Sequence, residues 1–272
     1  MKDPKSILIT GASSGIGAAL ALEYAEYAGP GVHLALCGRD PARLEDVGQR
    51  CRAMGADVLT AVLDVTVRDA MAAWIQKVDS AHPLDLVIAN AGRSGGSGTG
   101  KDGDAGGETE DQARAIFQVN FDGVLNTIWP AINAMRAHAR ERGRARGQIA
   151  ITSSIAGMTP LPGAPAYSAS KAAVKVYAEA LHGALKPEGI TVTAICPGFV
   201  KSRITDQNDF PMPFFMEASK AAKIMRRDLA KGRTHGRVSI IFPWRLAAGA
   251  WLLGLLPPCW RVWILSRAPK KS

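Results

Sequence analysis

Ser6-Ile7-Leu8-Ile9-Thr10 runs directly into Gly11-Ala12-Ser13-Ser14-Gly15-Ile16-Gly17, and an amphipathic stretch follows over 15–27. The first five residues have no charge and read as a buried strand; the stretch after them reads as a helix. Three glycines between a strand and a helix meet the needs of a phosphate-binding turn. One makes the tight turn, one lets a pyrophosphate approach the backbone, and one lets helix and strand pack closely. The start of the helix then offers unpaired N–H groups and the positive end of its dipole to the phosphates. The spacing is G-x-x-x-G-x-G. Its position after a strand and before a helix makes it a dinucleotide signal.

Working outward, short apolar runs alternate with longer amphipathic stretches. Strands are expected at 6–10, 32–36, 57–63, 85–89, 148–152, 190–195 and 238–242, and helices at 15–27, 41–54, 66–80, 166–185 and within 110–139. The strands are continuous Val/Ile/Leu runs, which suggests burial on both faces. Strand–helix alternation of this length implies right-handed crossovers and one doubly wound parallel sheet of α/β class, with helices on both faces. With 272 residues, 47% hydrophobic and 21% charged, a disordered or collagen-like chain is excluded despite 28 glycines. Cys37, Cys51, Cys196 and Cys259 are scattered, which excludes a zinc ribbon or a disulfide framework and points to a reducing cytoplasm. No two of the five histidines are spaced as local metal ligands, so no metal site is expected. The opening residues lead into an apolar run too short for a signal peptide.

The end of the second strand bears on which dinucleotide binds. Leu36-Cys37-Gly38-Arg39-Asp40 places a planar guanidinium where a ribose 2′-phosphate would lie. NADP(H) is therefore favoured over NAD(H). Asp40 either caps a helix beginning at Pro41 or turns inward to a ribose hydroxyl.

Tyr167-Ser168-Ala169-Ser170-Lys171 opens a predicted helix, and a spacing of four puts Tyr167 and Lys171 on one face. A tyrosine with a pKa near ~10 is a poor base at neutral pH, and an ammonium one turn away is expected to lower it. Ser154 follows a strand end 13 residues before Tyr167. Asn90-Ala91-Gly92 ends another strand, and Asn120 lies in a long helix. Each has an ordinary explanation alone: a cap hydroxyl, a turn residue, a core amide. Their order and spacing behind the glycine turn point to one site.

With these motifs together, residues 5–205 resemble the short-chain dehydrogenase/reductase family, whose fold is of the Rossmann type. The resemblance implies cofactor contacts from Gly11, Ser13, Ser14, Gly15, Ile16 and Gly17, and from Arg39. Asp64 and Val65 would lie at the adenine, and Asn90, Ala91 and Gly92 would line the adenosine side. Pro197, Gly198 and Val200 would close over the nicotinamide. It implies Tyr167 as general acid or base, Ser154 on the substrate oxygen, and Lys171 holding the nicotinamide ribose while tuning Tyr167. Asn120 would place a relay water. The substrate would be a small-molecule carbonyl or alcohol, the reaction would need no metal, and the enzyme would form a homo-oligomer. A catalytically silent nucleotide-sensing protein is the alternative, and the intact Ser154/Tyr167/Lys171 set argues against it. Two departures stand out. Ser202 occupies the position of a usual threonine, with Thr205 as a substitute, and 93–108 is a glycine-rich insertion.

A cofactor- and substrate-binding unit is thus expected over 1–242, with a substrate cover at about 203–235. Phe210, Met212, Phe214, Phe215 and Met216 make that cover apolar, so a lipophilic substrate is expected. Residues 243–272 form a separate basic segment. Residues 1–216 hold 21 basic and 22 acidic groups, whereas 217–272 hold 12 and two. Four of six tryptophans lie in the final 29 residues, around a run too short to span a bilayer. This tail either lies on an anionic lipid surface as a peripheral anchor or packs on the sheet or a subunit partner. It carries no recognisable nucleic-acid-reading module, so no nucleic-acid partner is expected.

Overall fold

The computed structural model describes residues 3–95, 108–142, 147–206, 208, 211–235 and 237–267. Seven parallel strands form one sheet: β1 (Ser6–Thr10), β2 (His33–Gly38), β3 (Asp57–Val62), β4 (Leu86–Ala89), β5 (Gly147–Thr152), β6 (Ile190–Pro197) and β7 (Ser239–Phe242). Their order is β3-β2-β1-β4-β5-β6-β7. The expected doubly wound architecture is the one observed.

Consecutive strand residues face opposite sides, and both sides are apolar, because helices cover both. Ile7 and Ile9 of β1 enter one core with α1 (Gly15–Ala28) and α2 (Pro41–Ala53). Leu8 enters the other, with α3 (Arg68–Ala81), α5 (Gly123–Arg142) and α6 (Pro165–Leu185). This is why the strands read as continuous rather than alternating apolar runs. The chain leaves β1 for one face and β4 for the other. The crevice between their carboxyl ends is the switch point at which such sheets bind ligands.

Two elements differ from expectation. A short α4 (Glu110–Phe117) and α5 are joined by a π-helical turn, Gln118–Asp122, where one regular helix or a pair of them was expected. The proposed cover at 203–235 divides in two. Its second half is α7 (Ala218–His235), whose Ala221, Ala222, Met225 and Leu229 are buried against α1. Arg226 of α7 pairs with the buried Glu23 of α1 at 2.7 Å and stacks 3.6 Å over the Tyr27 ring. This helix belongs to the core layer, and only the residues before it can reach the crevice. After β7 the chain forms α8 (Trp244–Gly254) and α9 (Pro258–Leu265). Most of the glycine-rich insertion, residues 96–107, and Phe210 lie outside the described residues.

Candidate active site

Sterics at the β1–α1 turn explain its glycines. Gly11 and Gly15 have φ of +67° and +54°, a region side chains rarely adopt. A β-carbon on Gly11 would lie 2.8 Å from Ala91 Cα, and one on Gly17 would strike the Gly11 carbonyl oxygen. Thr10 joins this turn to the end of β4. Its Oγ1 accepts bonds from the N–H groups of Asn90 (3.0 Å) and Ala91 (3.1 Å), and its carbonyl accepts from Asn90 Nδ2 (3.2 Å). Two loops far apart in sequence are thereby locked into one wall.

That wall bounds a cleft of about 930 Å³. Every cofactor residue expected from the sequence lines it except Gly17, whose part is to let the turn close. Ser154 lines it too; Asn120 does not. At the far rim Gly38 leaves room for Ser13, whose Cβ and Oγ would lie 3.0 Å from a β-carbon there. Arg39 is two-thirds exposed, with Nη1 3.7 Å from Asp64 Oδ2. Asp40 caps α2, accepting from Arg43 N at 3.0 Å, and that bond holds its pKa below the ordinary carboxylate value. The cap is therefore the role this Asp fills. Burial pushes the Asp64 carboxyl up, but bonds from Thr66 N (2.9 Å) and Oγ1 (2.8 Å), with Arg39 nearby, lower it overall.

The opposite end carries the candidate reactive groups. Pro165 at the first turn starts α6, and Tyr167 and Lys171 share one of its faces. Lys171 is 3% exposed, donates to the Thr152 carbonyl at 2.8 Å and lies 5.9 Å from the Tyr167 ring centroid. Burial lowers its pKa to about 8. The Tyr167 phenol is raised from 10.0 by burial, with the hydrogen-bonded Ser154 hydroxyl pulling it down. This corrects the expectation of a phenol lowered by its ammonium neighbour. The cavity disfavours charge on both groups, so each moves toward its neutral form. Ser154 is itself fixed, accepting from Ala156 N at 3.1 Å where a one-turn 3₁₀ helix (Ile155–Gly157) begins. Gly157 lets that turn lie against α6: a β-carbon would come within 2.6 Å of the Lys171 carbonyl carbon.

Asn120 sits fully buried in the π-helical turn, and its amide clamps the backbone of Arg93. Its Oδ1 accepts from Arg93 N (2.9 Å), and its Nδ2 donates to Arg93 O and Ser170 Oγ, both at 3.0 Å. A β-carbon on Gly92 would lie 3.2 Å from Asn120 Oδ1 and 3.3 Å from Lys171 Nζ, so this glycine keeps open the space between them. The alternatives after Gly198 also separate. Thr205 Oγ1 accepts from Ser202 N (2.8 Å) and bonds the Val200 carbonyl (3.0 Å), holding a turn together. Ser202 packs on the phosphate turn, 2.9 Å from a β-carbon on Gly15, so Ser202 rather than Thr205 faces the start of α1.

Sequence reasoning missed Glu108. It is 4% exposed, and its Oε2 accepts from Ala166 N at 2.7 Å, at the start of the helix that carries Tyr167. The partners are 58 residues apart, and no local pattern marks such a cap. The sequence also gave no sign that His33, Asp57 and His82 meet at the amino-terminal edge of the sheet. Asp57 Oδ2 is 2.9 Å from His33 Nδ1 and 3.7 Å from His82 Nε2, and the two imidazoles stack. This trio lies away from the cleft.

A chain whose glycine turn, buried Lys171 and Ser154–Tyr167 pair converge on one crevice can be set beside known proteins. Its residues 5–210 match the sequence profile of the short chain dehydrogenase family. An uncharacterised oxidoreductase of Myxococcus xanthus (strain DK1622) is 37% identical over 260 residues, covering 93% of each chain. The fold is similar to that of a short chain dehydrogenase from Mycobacterium paratuberculosis bound to NAD, with TM-score 0.72 and 23% identity over 87% of this chain and 95% of that one. It is also similar to L-sorbose reductase from Gluconobacter frateurii complexed with NADPH and L-sorbose, with TM-score 0.73 and 22% identity over 89% and 97%. The chain therefore belongs to the short-chain dehydrogenase family of oxidoreductases.

Proposed function

We propose that this chain is an NADP(H)-preferring enzyme that interconverts a carbonyl and an alcohol on a lipophilic small molecule, as a homo-oligomer working at a lipid surface. The observation that carries the catalytic part is the convergence of Ser154, Tyr167 and the buried Lys171 on one end of a glycine-built cleft. The cleft suits a dinucleotide because backbone, not side chain, forms its floor, and because α1 has no acidic residue in its first turn. When bound, the nicotinamide supplies or accepts the hydride.

The protein's part is orientation and proton traffic. In reduction, Tyr167 donates its proton to the substrate oxygen; in oxidation, its phenolate takes the alcohol proton. Ser154 donates to the same oxygen as charge gathers there. Lys171 holds the ribose and stabilises the phenolate. Asn120 Oδ1, across the space Gly92 leaves open, anchors a water that returns the proton to Lys171. The NADP(H) preference is supported by Arg39 and Arg43, both on the cleft rim, with Asp40 occupied as a cap. The lipophilic substrate is supported by Phe214 and Phe215, which are 48% and 44% exposed ahead of α7. Trp129 and Val176, exposed on α5 and α6, give a second copy an apolar face.

The test is carbonyl-dependent oxidation of NADPH by purified protein, compared with Tyr167→Phe. The variant should lose about 100-fold or more in kcat and keep its NADPH affinity, because only a transition-state donor is removed. Near-wild-type turnover in the variant would sink this mechanism.

A further inference from the structure

Helix α8 begins beside the cleft wall and α9 follows it, and most of their large apolar side chains are uncovered. Trp244, Trp251, Leu252, Leu255, Trp260 and Trp263 each remain 58–72% exposed, and Ala250 is the one buried residue of the two helices. Trp244 and Trp251 of α8 and Leu255 at its C-cap recur at intervals of seven and four, which places them on one face. On α9, Trp260 shares a face with Trp263 and Ile264, three and four residues on. Soluble monomers rarely leave so much contiguous apolar surface open unless a partner covers it.

Chemistry selects the partner. From Leu229 to the last residue the sequence has eight Lys and Arg and no acidic residue. Asp228, just before this stretch, pairs with two of them, Lys231 at 3.4 Å and Arg237 at 3.6 Å, while two others stand among the rings: the Arg267 guanidinium lies 3.7 Å over Trp263, and Arg245 lies 5.5 Å from Trp244 and 5.8 Å from Phe214. A second copy placed on α8 and α9 by two-fold symmetry would set Arg245, Arg261 and Arg267 against one another, since neither helix carries a carboxylate. An anionic bilayer offers what both groups of side chains lack. Indole rings settle at the headgroup level, stems and rings enter the acyl boundary, and guanidinium groups meet phosphate. Neither helix is long and apolar enough to cross a membrane, so both would lie along it.

Helix α8 adjoins the cleft through its other face, the one that carries Leu246 and the buried Ala250. Pro243 Cδ, Leu246 Cδ1 and Ile155 Cδ1 come within 3.0, 3.2 and 3.5 Å of where a Gly198 β-carbon would be. Gly198 lines the cleft, and Ile155 directly follows Ser154. The first turn of α8 is thus fastened to the part of the wall that faces the substrate. We infer that α8 and α9 seat the protein on anionic phospholipid and turn the substrate mouth toward the bilayer, so that the carbonyl or alcohol is taken from the membrane rather than from water. This rests on the reading of the cleft as a carbonyl/alcohol site, and the experiment separates the two.

Full-length protein and a Trp251→Glu/Trp263→Glu variant would be sedimented with vesicles of phosphatidylcholine alone or with 30% phosphatidylglycerol. Both substitutions are at exposed positions outside the cleft, and unchanged Tm and circular dichroism would show the variant folded. The inference expects wild type to sediment with anionic vesicles, at least about tenfold better than with neutral ones, and to be released by salt. The variant should stay in solution. Both proteins should turn over a short water-soluble ketone equally, while only wild type keeps its rate on a long-chain ketone carried in vesicles. No sedimentation, equal sedimentation of the variant, equal rates on the vesicle-borne ketone, or a dimer that the substitutions dissociate would each overturn the inference. Loss of turnover on the soluble ketone by wild type would instead count against the catalytic reading.

Discussion

At the scale of single residues, Lys171 and Tyr167 are set by one force acting on opposite charges. Burial lowers the Lys171 pKa to about 8 and raises the Tyr167 phenol above its ordinary 10.0. At neutral pH the site therefore holds an ammonium and a protonated phenol, the state from which the proposed reduction would draw its proton. As pH rises through 8 the ammonium is lost, and the phenolate that oxidation needs accumulates at higher pH. Reductive turnover should fall above pH 8 while oxidative turnover climbs, and pH–rate profiles in both directions check this. Parallel profiles would mean that another group carries the proton. Stability responds to the same residue. Between pH 8 and 10.5 the unfolded chain holds a proton that folded Lys171 has released, so unfolding free energy rises across that window. Its contribution is complete above 10.5 and is lost as pH falls through 8.

At the scale of elements, the decisive contact is the one that starts α6. Glu108 accepts from Ala166 N, one residue before Tyr167, so the first turn of the helix that carries Tyr167 and Lys171 is held by a carboxylate from the far side of the glycine-rich insertion. A buried cap of this kind removes an unpaired N–H and opposes the helix dipole. Glu108→Ala should cost about 1–2 kcal/mol of stability and lower kcat more than it raises KM, whereas Glu108→Gln, which keeps an acceptor, should recover most of both. Denaturant melts and steady-state kinetics read the outcome; an alanine variant with unchanged kcat would leave Glu108 a cap with no bearing on the site. This contact also shows where sequence reading stops. The β1–α1 turn, the strands and the Tyr167–Lys171 spacing were legible because each depends on neighbours within one or two turns of chain. Glu108, the π-helical setting of Asn120, the packing of α7 on α1 and the His33–Asp57–His82 meeting depend on partners tens or hundreds of residues away. Hydrophobic periodicity carries no record of those. Asp40 was legible only as two choices, and the Arg43 N–H decided between them.

At the scale of the whole molecule, the cleft is where the two halves of the sheet are joined. Its walls come from the β1–α1 turn and the β2 end on one side, and from β4, β5, α6 and the stretch after β6 on the other. A ligand that touches all of them binds the folded chain and has nothing comparable to bind in the unfolded one. At a concentration 100 times its dissociation constant, such a ligand adds about 2.7 kcal/mol to unfolding. For a chain of this length that corresponds to a rise in Tm of roughly 5 °C or more. NADPH should produce this shift, and NADH at the same concentration should produce less, because Arg39 lies two-thirds exposed at the rim, 3.7 Å from Asp64, while Asp40 is held by α2. Arg39→Ala should therefore shrink the NADPH shift toward the NADH value and leave the NADH shift nearly as it was. Tyr167→Phe should keep both shifts, since the role proposed for the phenol is toward substrate. Differential scanning fluorimetry on the three proteins checks this without turnover. Equal shifts from the two nucleotides in wild type, unaltered in Arg39→Ala, would make Arg39 a surface cation and return the choice of cofactor to the ribose contacts deeper in the cleft.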